Sequence, residues 1–220
     1  MENKIRQNLL RIREEIAHSK PWIIAVTKYF DQSAIVAAHK AGIEDFGESR
    51  VAEAAEKIAS LPDEIRNKVN FHLIGHLQTN KVKKAVAVFD FIHSVDSLKV
   101  ARAISQEAAA IGKVQKVLLQ LNNAKEEQKY GFSKEELIEN FEQINELQGL
   151  EIIGLMSMAR EGASEDELKR HFHEVAQTRE QIEKQYKVIL KELSMGMSED
   201  YKPAAEAGAT MLRIGRKLFQ

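Results

Sequence analysis

The sequence predicts a single (β/α)8 TIM barrel with an extra N-terminal helix, and three observations carry that expectation. Eight short apolar runs alternate with longer amphipathic stretches along the chain. The 220 residues divide into units of about 27, the size of a compact strand-helix repeat. No Gly/Ser/Pro-rich linker interrupts the order, with only 3 prolines and 11 glycines in the chain, so residues 1–220 read as one domain.

The first amphipathic stretch, Asn3–Ser19, sets Ile5, Leu9, Ile12 and Ile16 at helical spacing and precedes any strand. The strand candidates are Trp22–Thr27, Ile43–Phe46, Val69–Ile74, Phe89–Ser94, Lys116–Leu121, Glu151–Met156, Val188–Ser194 and Thr210–Ile214. Helical patterns cover Ser33–Ala41, Arg50–Ala59, Lys81–Ala87, Leu98–Ile111, Lys134–Leu147, Glu165–Lys184 and Ala204–Gly208. Two of these open with capping boxes, Ser133 with Glu136 and Ser164 with Glu167, whose side chains satisfy free backbone N–H groups reciprocally. An open doubly wound sheet is the alternative. It commonly uses five or six strands and often a glycine phosphate fingerprint, which this chain lacks.

Composition narrows the function. Lys+Arg is 32 against Asp+Glu 33, a net charge of −1, which argues against a general nucleic-acid binder. The chain has no cysteine, which excludes disulfides, thiolate metal sites and a Cys nucleophile. The charged N-terminus has no apolar signal region, and no apolar run approaches the ~18–20 residues that span a bilayer, so a cytoplasmic protein without membrane partners is expected.

In such a barrel, chemistry gathers at the C-terminal ends of the strands. Lys28 ends the first run. An amine rooted in apolar surroundings is a candidate Schiff-base nucleophile, although a strand-end lysine can also simply reach water. The seventh and eighth exits supply Ser194, Gly196, Ser198, Arg213, Gly215 and Arg216, the hydroxyls, close backbone and cation of a phosphate site. Ser198, before Glu199-Asp200, equally reads as a helix N-cap.

Other features carry less. His72 and His76 fall on a strand and its exit, roughly 13 Å apart, so no metal site is expected. His171 and His173 read as solvated or capping groups in a charged helix, and Lys81-Val82-Lys83-Lys84 as a solvated face. Glu126-Glu127 and Glu135-Glu136 read as surface charge, and no serine nucleophile elbow is present.

Seven pieces occur in one order: Ala25-Val26-Thr27-Lys28, Phe46-Gly47-Glu48, Phe71 through Lys81, Ser94-Val95-Asp96, Gly154-Leu155-Met156, Leu193 through Ser198, and Arg213-Ile214-Gly215. In these the chain resembles the pyridoxal phosphate (PLP) homeostasis proteins, relatives of the alanine racemase N-terminal domain, over essentially its whole length. The resemblance implies PLP as cofactor, held as a Schiff base on Lys28. It places Ser194 with the backbone of Gly215 and Arg216 in a phosphate cradle to which Ser198 can add, and it turns Arg213 toward the pyridine nitrogen. The matched Met156 and the position of Ser49 are also implied to line the cofactor. The chain departs from the family pattern twice: Ser49 replaces an asparagine, and Arg216 a threonine. A guanidinium at 216 can replace the lost hydroxyl with a charge-assisted bond, so Arg216→Ala is expected to weaken PLP affinity more than Arg216→Thr.

The resemblance favours a non-enzymatic, monomeric PLP buffer or carrier, with apo forms of PLP enzymes as candidate recipients. The racemase's C-terminal β domain is not in the sequence, and Tyr29, Tyr130, Tyr186 and Tyr201 carry no motif of a second base. A low-activity amino-acid racemase recruiting His72 or His76 is the alternative. A phosphosugar aldolase built on Lys28 is a third reading.

Overall fold

The computed structural model describes residues 1–123 and 130–220, so Glu126-Glu127 lies outside the described residues. Eight parallel strands close into a barrel in chain order, with β8 pairing β1. They are β1 Trp22–Val26, β2 Asp45–Glu48, β3 Asn70–Leu73, β4 Phe91–Val95, β5 Gln115–Leu121, β6 Leu150–Ser157, β7 Glu192–Met197 and β8 Met211–Ile214.

The helices are α1 Glu2–Glu15, α2 Gln32–Lys40, α3 Val51–Ala59, the single turn α4 Asp63–Arg66, α5 Val82–Val88, α6 Leu98–Ala110, α7 Lys134–Asn145, α8 Glu165–Tyr186, α9 Tyr201–Glu206 and α10 Arg216–Phe219. Both capping boxes are present, at the starts of α7 and α8.

Strand alternation sorts side chains into two cores. Outward residues such as Ile23, Ala25, Phe46, Leu193 and Leu212 pack under the helices. Ile24, Leu118, Met156 and Met211 form a separate cluster inside the barrel. The N-terminal helix α1 buries Ile5, Leu9 and Ile12, and Ile16 follows at its end. It is tied to the end of the chain by Asn8 Nδ2, which donates to the Leu218 carbonyl at 3.1 Å. Tyr201, one of the four tyrosines, is buried and donates its hydroxyl to the Glu15 carboxylate, locking α9 to α1.

Two strand boundaries differ from the sequence reading for a shared reason. The run beginning at Ile43 starts β2 only at Asp45, because the Ile43 N–H turns back to the Ala38 carbonyl at 3.1 Å. Gly42, at φ 96°, makes the left-handed turn that closes α2 in this way. Likewise Val188-Ile189-Leu190 closes α8: Lys187 is left-handed, and the Leu190 N–H donates to Glu183 Oε1 at 2.8 Å. Strand β7 starts at Glu192, where pairing with Gly154 begins. In both places an apolar residue that seals a helix end resembles the start of the next strand.

Candidate cofactor site

The eight residues that the resemblance assigns to the cofactor lie on, or just past the ends of, five consecutive strands of the closed barrel, β6, β7, β8, β1 and β2. Lys28 stands two residues beyond β1. It is exposed, with its Nζ 5.0 Å from the centroid of the Tyr29 ring, and among the described residues it forms no ion pair. Its base, by contrast, is fixed. The Thr27 hydroxyl donates to Glu48 Oε1 at 2.6 Å, and the Thr27 carbonyl accepts from Lys57 Nζ at 2.8 Å. Lys57 also pairs with Glu48 at 2.6 Å, with side chains 11% and 3% exposed. A buried ion pair therefore grips both polar groups of the residue before Lys28, while the Lys28 amine stays available to a ligand.

Ser49, half-buried at the exit of β2, sits against the next strand exit. A Cβ at Gly75 would fall 2.2 Å from the Ser49 carbonyl oxygen, so only glycine permits this approach. Met156 is fully buried in the interior cluster with Ile24, Leu118 and Met211, beneath the rim rather than on it.

Arg213 is buried at 3% exposure. Its Nη1 donates to the Ser194 carbonyl at 2.6 Å and to Ser194 Oγ at 2.7 Å, and its Nη2 donates to the Ser157 carbonyl at 2.9 Å. Burial pushes the guanidinium down to about 10, so it remains a cation at neutral pH. Three of its five N–H donors are used; among the described residues nothing accepts from the other two. The Ser194 hydroxyl is fully buried under Arg213, with His93 Nδ1 2.8 Å on its other side.

Ser198 stands one residue beyond β7. Its Oγ accepts from the N–H groups of Gly215 and Lys217, each at 3.3 Å, at the start of α10. It does not cap α9, whose N-cap residue is Asp200. Amide groups at a helix start lack intrahelical acceptors and attract anions. Gly215 also lies against β1: a Cβ there would be 3.5 Å from Val26 Cβ and 3.6 Å from the Val26 carbonyl oxygen, which brings the amide cluster to the strand that carries Lys28. Gly196, read from the sequence as allowing close backbone approach, does so toward α9. At φ 91° its Cβ would meet Ala204 Cβ at 2.6 Å.

The Arg216 guanidinium pairs with Glu199 at 3.5 Å, both side chains being largely exposed. An exposed pair is worth about 0–1 kcal/mol, so breaking it to reach an anion costs little. We expect PLP titration to give weaker affinity for Arg216→Ala than for Arg216→Thr. Equal affinities would show that the side chain at 216 takes no part.

Sequence reasoning missed the groups beneath the rim. His93 Nε2 lies 2.9 Å from His72 Nδ1, and His72 Nε2 lies 3.0 Å from Asp45 Oδ1. His72 thus has both ring nitrogens engaged inside the barrel, whereas His76 sits outside, 3.0 Å from Asp96 and stacked on Tyr130. His171 is a further correction: it is buried, not solvated, with Nε2 2.9 Å from Ser157 Oγ. His173 is exposed. Among the described residues no group of three or more His, Asp or Glu side chains is arranged to hold a metal.

Burial, with His72 and Arg213 beside it, holds His93 well below the ordinary imidazole range. Its stabilisation is complete above the unfolded-state value of about 6.5 and is lost as pH falls through that value toward the folded one, because the unfolded chain takes up the proton first. The thermal midpoint should therefore decline between pH 7.5 and 5, and His93→Gln should flatten that decline. An unchanged slope in the variant would remove His93 as its source.

The alanine racemase N-terminal domain family model matches residues 2–220. The pyridoxal phosphate homeostasis protein of Synechocystis is 42% identical over 197 residues, 90% of this chain and 89% of its own. PipY of Synechococcus elongatus, solved with PLP bound, is 35% identical with a TM-score of 0.87, covering 98% of this chain and 100% of that one. Alanine racemase from Clostridium difficile, in complex with cycloserine, shares the fold at 17% identity and a TM-score of 0.78; the match spans 59% of that longer chain. With a family model matched over 2–220 and a homeostasis protein at 42% identity along nine-tenths of the sequence, this chain belongs to the alanine racemase N-terminal-domain family and, within it, to the pyridoxal phosphate homeostasis proteins.

Proposed function

We propose that this protein binds PLP covalently through Lys28 and acts as a buffer and donor of the cofactor rather than as an enzyme. The observation that carries the reading is the exposed Lys28 amine on a rigidly held base, one strand away from the Ser198–Gly215–Lys217 amide cluster. The donor set fits the cofactor: a primary amine, backbone amides for a phosphate, and a buried guanidinium with two donors that none of the described residues accepts from. The name of the Synechocystis relative and the PLP-bound PipY support the same assignment.

When bound, the cofactor supplies an aldehyde that condenses reversibly with a primary amine, releasing one water. The chain's own residues do the rest. Thr27, clamped by Glu48 and Lys57, orients the Lys28 stem. The amides of Gly215 and Lys217, shared with Ser198 Oγ, meet the phosphate. Arg213 presents a donor-only cation to the pyridine nitrogen, which keeps that nitrogen unprotonated and the ring a poor electron sink. Carbanion chemistry is thereby left unassisted, which suits holding the cofactor. Exposure of Lys28 leaves the amine open to exchange with an incoming amine, the chemistry that transfer to an apo enzyme requires.

The test is a visible spectrum after incubation with PLP and gel filtration, then borohydride reduction and peptide mapping. A retained band with the adduct on Lys28 is expected. No band, or an adduct scattered over surface lysines, would overturn the assignment. PLP at a hundredfold over Kd should also stabilise by about 2.7 kcal/mol, roughly 5–10 °C for a chain this long. Stabilisation by phosphosugars and not by PLP would favour an aldolase instead.

A further inference from the structure

Four hydrogen bonds run through the barrel interior from Arg213 to Asp45: Arg213 Nη1 to Ser194 Oγ at 2.7 Å, Ser194 Oγ to His93 Nδ1 at 2.8 Å, His93 Nε2 to His72 Nδ1 at 2.9 Å, and His72 Nε2 to Asp45 Oδ1 at 3.0 Å. Its two ends fix its direction. The carboxylate can only accept, so His72 Nε2 carries a proton and, in a neutral ring, Nδ1 accepts from His93 Nε2. His93 Nδ1 is then an acceptor and takes the Ser194 hydroxyl proton. That leaves the Ser194 oxygen lone pairs to accept from Arg213, which can only donate. Every link is satisfied with both imidazoles neutral, in accord with the low basicity that burial gives His93.

Hydrogen bonds alone do not explain an imidazole pair at the centre of a barrel, because an apolar pair of similar volume avoids the cost of burying polar groups. The pair stands where it decides what Ser194 can do. If the His93 proton were on Nδ1, Ser194 Oγ would accept from both His93 and Arg213, and among the described residues no third group is placed to take its buried hydroxyl proton.

We propose that His93, backed by His72 and Asp45, is a positioning residue that fixes Ser194 as an acceptor and so holds the Arg213 guanidinium toward the cofactor's pyridine nitrogen. The proposal rests on the PLP reading above and deepens it: the state of the pyridine nitrogen is set by a chain of bonds that ends at the partly exposed Asp45 carboxylate. Asn70 Nδ2 steadies that end, donating to the same Asp45 oxygen at 3.0 Å. The ring of Phe91 lies flat against His72, with centroids 4.4 Å apart, and holds its plane.

The experiment has two arms on the full chain. In the ligand-free protein, nitrogen-15 NMR of the histidine rings should show the Nε2–H form for both His72 and His93; a proton on His93 Nδ1 overturns the proposal. With PLP labelled at the pyridine nitrogen, wild type and His93→Gln should show the same unprotonated nitrogen signal, since Gln keeps one donor and one acceptor. His93→Phe should move that signal toward the protonated form and weaken PLP binding about tenfold, which is about 1.4 kcal/mol. If His93→Phe does not fold, Asp45→Ala carries the same expectation from the far end. Weaker binding with an unmoved nitrogen signal, or a Gln variant no better than Phe, marks a purely structural role and overturns the proposal. A wild-type protein that does not bind PLP overturns the cofactor reading itself, and this inference with it, whereas normal wild-type binding with an unchanged Phe variant overturns this inference alone.

Discussion

Lys57→Met is expected to destabilise the folded protein by about 3–5 kcal/mol, because it leaves the Glu48 carboxylate buried without its cation. For a chain of this length that is a fall of roughly 6–20 °C in the thermal midpoint. Glu48→Gln should cost a comparable amount by stranding the ammonium instead. The double replacement of Glu48 by Leu and Lys57 by Met removes both charges, and apolar substitution of a whole buried pair is often neutral or stabilising. Most of the lost stability should therefore return. PLP retention should not, because Thr27 loses the partners of both its hydroxyl and its carbonyl, and Lys28 loses its fixed base. Thermal unfolding read beside the visible spectrum of the gel-filtered protein separates the two effects. A double variant that recovers stability and PLP together would show that the clamp serves the fold only.

The clamp also shows how far sequence carried the site. Periodicity made the barrel legible, and the rule that chemistry sits at strand exits pointed to Lys28, Ser198, Arg213 and Gly215. It could not say which serine faces the rim. Ser194 and Ser198 lie four residues apart on the same strand and exit, and only register puts the first under Arg213 and the second beside the α10 amides. The interior chain of bonds was missed because its partners are remote: His72 and His93 are 21 residues apart, and His93 and Ser194 are 101 apart. A signal was present nonetheless. Asp45, Asn70, His72 and His93 are polar residues that alternate along short strands with the buried Phe46, Phe71, Leu73 and Ile92, and such residues face the barrel interior or each other. The late starts of β2 and β7 have a different origin, since the closure of α2 and α8 depends on left-handed residues that apolar periodicity does not report.

Lys28→Arg and Lys28→Ala should each abolish PLP retention after gel filtration while leaving the fold intact. Arginine keeps the cation and the reach, but its guanidinium stays protonated and offers no free amine lone pair for condensation. Alanine removes both. If retention depended on charge attraction to the phosphate, arginine would preserve it, so the pair of variants separates covalent from electrostatic holding. Because Lys28 is exposed and forms no ion pair among the described residues, either change should move ligand-free stability by no more than about 0.5 kcal/mol. The PLP-induced rise in thermal midpoint should shrink with the lost affinity. A variant that kept the visible band would require another nucleophile. The lysine beside the same strand end, Lys57, is a poor substitute, since its amine is buried and held by Glu48 and the Thr27 carbonyl. Full retention by Lys28→Ala would therefore displace the site from β1 altogether.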